Sequence, residues 1–133
     1  MTPKQYVQDA AKTDHRDYAP VVERISNEEF AKLTHYTLGL GTEVGEVLDI
    51  LKKRLAYGKP IDIVNLKEEL GDLLWYVARL CGEFDFTFEE LMDTNIAKLK
   101  ARYGEKFTEN AALNRDLANE RKTLETQEAK NVR

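Results

Sequence analysis

The sequence predicts an all-α protein: a bundle of about four helices with an antiparallel central hairpin, completed by oligomerisation. Three observations lead there. Apolar residues recur at the helical period, and no stretch alternates long enough to form a strand pair. Pro3, Pro20 and Pro60 lie at the edges of the periodic segments rather than inside them. Capping residues precede those segments, and glycines follow them.

The first helix is expected over about residues 3–14. Thr2 supplies an N-cap, Pro3 fits the first helical position, and Gln5 completes a capping box. Residues 15–25, with Pro20, read as a linker. The second helix is expected over about 27–57. Ser26 and Glu29 form its capping box, with Ile25 and Phe30 as the staple. Gly39, Gly41 and Gly45 weaken this helix by roughly 1 kcal/mol each against Ala, so a bend or break near Leu40 is expected. Gly58-Lys59-Pro60 ends it. Asp62 is a candidate cap for a third helix over about 62–83. Thr87 and Glu90 form a capping box for a fourth over about 88–103, which Gly104 closes. These elements form one domain, residues 1–107. The tail, residues 108–133, is polar and partly helical or flexible. Its stripe of Leu113, Leu117 and Leu124 suits a partner surface, and its last residues are expected to fray.

The 133 residues carry a formal net charge of −4, with acids and bases mixed. No basic patch suggests nucleic-acid binding. An anionic substrate would therefore need local cations or bound metal. Cys81 is the single cysteine, so neither an intrachain disulfide nor a cysteine-based zinc site is available. No apolar run approaches the ~20 residues of a membrane span, and no signal peptide is read at the N-terminus. A cytoplasmic setting is expected.

The chemistry lies in two acidic pairs. Glu43 and Glu46 belong to the second helix, Glu69 and Asp72 to the third. A spacing of three puts each pair on one helical face. On a helical wheel Glu43 falls between Ile50 and Val47, and Glu69 between Tyr76 and Leu73. Both thus intrude on apolar arcs, with Glu46 and Asp72 at the edges. Counted outward from Gly58, Glu46 is level with Glu69, and Glu43 with Asp72. Four acids at one level repel strongly unless divalent cations join them. Carboxylate oxygens suit Mg²⁺, with Mn²⁺ as an alternative. One such pair alone is ordinarily a solvated face; two pairs in register are harder to explain that way.

Asn95, Lys98 and Arg102 share one face of the fourth helix. Lys98 and Arg102 could clamp phosphate, although cations near a helix C-terminus are also favoured by the dipole. Lys53, two turns after Glu46, could reach a phosphate or neutralise the acids. Trp75 suits a subunit interface better than a base-stacking role. His15 and His35 pair with no obvious nucleophile. Gly45 and Gly71 would let another helix approach closely.

The runs Leu38–Glu46, Glu68–Tyr76 and Asn95–Tyr103 resemble, in order and spacing, the motifs of MazG-like nucleoside triphosphate pyrophosphohydrolases, over about residues 30–107. The resemblance implies an all-α NTP pyrophosphatase fold, usually a homodimer or homotetramer. It implies that Glu43, Glu46, Glu69 and Asp72 ligate Mg²⁺, and that Asn95, Lys98 and Arg102, with Lys53, hold the nucleotide. Glu46 and Glu69 would be the catalytic carboxylates as water attacks the α-phosphorus and pyrophosphate leaves. Competing readings are a phosphoribosyl-ATP pyrophosphohydrolase, a strict dUTP or dCTP pyrophosphohydrolase, and a non-enzymatic helical module stabilised by metal.

Overall fold

Seven helices and no strand make up the described residues, 1–14 and 17–131, of the computed structural model. In order they are α1 (Pro3–Ala10), α2 (Ala19–Ile25), α3 (Glu28–Tyr57), α4 (Ile63–Glu83), α5 (Phe88–Tyr103), α6 (Glu109–Leu113) and α7 (Leu117–Asn131). The all-α expectation holds, and the four helices read from the sequence correspond to α1, α3, α4 and α5. His15 and the last two residues of the tail lie outside the described residues.

The local chemistry explains the helix limits. Thr2 caps α1 and Thr87 caps α5, each in a complete capping box. Asp62 Oδ1 accepts from Val64 N at 3.0 Å and Asn65 N at 3.1 Å, so it does cap α4. Gly58 closes α3 in the left-handed conformation, with φ 64.

Three local expectations are corrected. The expected linker over 15–25 contains α2, because Pro20 sits in the first turn, where a missing N–H costs nothing. The Ser26 capping box does not form. Ser26 closes α2 and its hydroxyl donates to Val22 O at 2.6 Å. Asn27 takes the cap of α3 instead, accepting from Phe30 N at 2.7 Å. Finally, α3 continues unbroken through Gly39, Gly41 and Gly45. Gly39 itself is buried, so tertiary packing there overrides weak propensity.

The chain divides into two compact units, Met1–Asp72 and Leu73–Arg133, and the boundary falls within α4. In the first unit α2 packs on α3, and Tyr36 and Ile50 are buried. Many apolar side chains of this unit stay exposed, among them Leu48, Leu51, Leu55 and Leu70. In the second unit α7 packs on α5. Its buried residues are Cys81 and, unusually, the charged Glu120. The tail therefore docks on its own chain through a charged residue. Two leucines of its stripe, Leu113 and Leu117, are exposed. Among the described residues, no helix is long and apolar enough to cross a membrane.

Candidate metal centre

The site begins with two helical spacings. Glu43 belongs to α3; in α4, Glu69 and Asp72 lie one turn apart. Gly58, in the left-handed conformation, makes the turn between α3 and α4. One carboxylate oxygen each from Glu43, Glu69 and Asp72 then lie within 4.8 Å of one another. Glu43 and Glu69 are half-buried and Asp72 is exposed. Three of the four acids named from the sequence are thus brought together. Glu46 stands outside this group but still acts electrostatically on Glu43.

The electrostatics of the group are unfavourable as it stands. Desolvation raises the pKa of Glu43 above the usual carboxylate range, and the charges of Asp72 and Glu69 push it further. The largest charges acting on Glu43, those of Asp72, Glu69 and Glu46, are acidic. Among the described residues, no Lys or Arg forms an ion pair with any of the three; the ion pairs of this part of α3 go elsewhere. Lys53 Nζ lies 2.7 Å from Asp49 Oδ2, and Lys52 pairs with the same carboxylate. Asp49 is accordingly held down at about 2.

Two neighbours hold the acids in place. Asn65, one turn before Glu69, donates from Nδ2 to Glu69 Oε1 at 2.6 Å. The Thr42 hydroxyl lies 3.5 Å from Glu43 Oε1 and 2.7 Å from Gly39 O, so its stronger bond is to its own helix. The sequence reading missed Asn65 and Asp49. The spacing of four between Asn65 and Glu69 was the signal that could have found the first.

The donor set suits a hard divalent cation. Three carboxylates converge, no thiol or imidazole is among them, and partial exposure leaves room for water to complete a coordination shell. Lys53, Lys59, Asp62 and Asn65 also line a cavity of about 450 Å³ beside the α3–α4 turn.

The remaining candidates belong to the second unit. Asn95 is exposed, and Lys98 is half-buried on α5. Arg102 is committed within its own unit. Its Nε and Nη2 donate to the Glu120 carboxylate at 2.8 and 2.7 Å. Arg115 grips the same carboxylate, at 3.2 and 2.7 Å. The two guanidinium groups hold the Glu120 carboxyl down at about 2. No helix approaches Gly45 or Gly71: among the described residues nothing lies within 4 Å of a Cβ built at either. Trp75 is half exposed and meets Tyr76 edge to face.

Residues 21–107 match the sequence model of a family described as the MazG nucleotide pyrophosphohydrolase domain. All eight candidate site residues fall inside that match. The chain is also similar to the Gene 37 protein of Mycobacterium phage L5, at 34% identity over 74 residues. That alignment covers 53% of this chain and 65% of the relative, so the chain spans somewhat less than two thirds of the relative's length. No solved structure matches.

Proposed function

From the premise that the chain belongs to the MazG nucleotide pyrophosphohydrolase family, we propose that it hydrolyses nucleoside triphosphates to the monophosphate and pyrophosphate, with Mg²⁺ as cofactor. The observation that carries this reading is the convergence of Glu43, Glu69 and Asp72, none of which is ion-paired to a Lys or Arg among the described residues. Such a group is costly alone and useful around a divalent ion.

Glu43, Glu69 and Asp72 would hold the ion, with Glu46 at the margin of the group. Bound there, Mg²⁺ would offset the charge of the triphosphate and make water a better nucleophile. The chain's own contributions follow from its residues. Glu46, exposed and acting electrostatically on Glu43, would take a proton from the attacking water. Lys53, Asn95 and Lys98 are the proposed contacts for the nucleotide. Arg102 joins them only by sharing its guanidinium between Glu120 and a phosphate, since five N–H donors serve that fork.

The exposed leucines of the first unit support assembly as a homodimer or homotetramer; a cytoplasmic setting is part of the same proposal. A panel of canonical and modified nucleoside triphosphates, with dUTP, dCTP and phosphoribosyl-ATP included, tests the activity. The expected result is pyrophosphate release that requires Mg²⁺ or Mn²⁺. Absence of pyrophosphate from the whole panel at saturating metal would overturn the enzymatic reading and favour a metal-stabilised helical module.

A further inference from the structure

We infer that Asn65 is the positioning residue of the acidic group: it fixes the Glu69 carboxylate so that the three acids can share one cation. The inference rests on the metal site proposed above and adds a residue that lies in none of the acidic pairs.

A glutamate has three rotatable bonds, and Glu69 is surrounded by like charge. Left alone, its carboxylate would swing away from Glu43 and Asp72 in the absence of metal. The 2.6 Å bond from Asn65 Nδ2 to Glu69 Oε1 opposes that motion. Both residues are half-buried, so water competes less for the bond. Asn65 is itself anchored, because its backbone N–H donates to Asp62 Oδ1 at 3.1 Å. The choice of a neutral donor matters. A Lys or Arg at this position would hold Glu69 equally well but would cancel the charge that binds a cation. An amide occupies one oxygen and leaves the other carboxylate oxygen, and the full negative charge, for the ion.

The simpler account is an ordinary i,i+4 pair that only steadies the helix. The two accounts separate by experiment on the full chain without nucleotide, with Mn²⁺ binding followed by the EPR signal of the free ion. Asn65→Ala should weaken Mn²⁺ binding about tenfold or more, as loss of a residue that orients a ligand does, while helix content by circular dichroism is unchanged. Asn65→Leu, similar in size but without a donor, should weaken it at least as much. In a Glu69→Gln background the further change Asn65→Ala should have little added effect, since its target is already lost. Equal Mn²⁺ affinity in wild type and both Asn65 variants would overturn the positioning role while leaving the metal site standing. A wild-type chain that binds no Mn²⁺ would overturn the metal site and this inference with it. Weakened Mn²⁺ binding in a chain that hydrolyses no nucleotide would support the role of Asn65 and remove only the enzymatic reading.

Discussion

Two carboxylate sites in this chain solve the same problem in opposite ways. In the second unit, buried Glu120 lies between Arg102 and Arg115, and its charge is answered by the chain itself. In the first unit, Glu43 lies beside Glu69 and Asp72, and the largest charges acting on it are acidic. The pKa directions follow: Glu120 falls to about 2, whereas Glu43 rises. A carboxylate with built-in partners is a structural latch; a cluster without them is open to an external cation. The difference separates the acid that holds the tail from the acids that are candidates for chemistry.

The comparison is broken most directly at the acidic group. Glu69→Gln or Asp72→Asn should reduce metal-dependent pyrophosphate release by at least about 100-fold, more than is typical of a residue that merely orients a ligand. Helix content should be unchanged, because the substitutions remove repulsion. Full turnover in either variant would show that its carboxylate is not a ligand.

The next largest effect is expected at the latch. Glu120→Ala leaves two guanidinium groups facing each other without their shared anion. The thermal midpoint should drop by several degrees, and limited proteolysis should cut first within α7. A tail that remains as protease-resistant as wild type would deny the pair its role.

The two sites should also respond to pH with opposite sign. Glu120 is depressed from 4.5 to about 2, so its contribution is present above the ordinary carboxylate range. It is lost as pH falls through the folded value. Glu43 is raised, so its folded form prefers the proton, and the metal-free protein should lose stability as pH rises through that titration. Added Mn²⁺ should therefore stabilise the protein more at neutral than at acidic pH. Thermal melts across pH, with and without Mn²⁺, measure both trends, and equal stabilisation by Mn²⁺ at acidic and neutral pH would contradict the second.

The smallest effects are expected where neither site is touched. Thr87→Ala removes the cap of α5 and should cost about 1 kcal/mol. Gly58→Ala forces a side chain into the left-handed region and should cost about 1 kcal/mol, although there is open space for the methyl group. Both are measured by chemical denaturation. Thr87→Ala, which leaves the α3–α4 turn and the acidic residues untouched, should not alter Mn²⁺ affinity and is the control for the acidic variants.

Much of this was legible before the structure. The caps at Thr2, Asp62 and Thr87 and the stop at Gly58 are local, and local chemistry placed them correctly. Glu43, Glu69 and Asp72 were legible because helical spacing and distance from one turn fix where side chains meet. Counting residues, however, could not place Glu46, since a small change of register or tilt decides which oxygens converge. Asn65 was within reach of the same spacing rule but carries no charge to draw notice. Arg102 was misleading alone: its partner lies 18 residues on, in a tail whose leucine stripe hinted at docking but did not point to Glu120.

By itself, then, the sequence determined four of the helices, most of their caps and a candidate set of acids, because these depend on interactions within a few residues along the chain. Only the tertiary structure decided which charges are neutralised. Whether a carboxylate meets arginine or another carboxylate depends on segments brought together from afar, and that encounter is written in no local pattern.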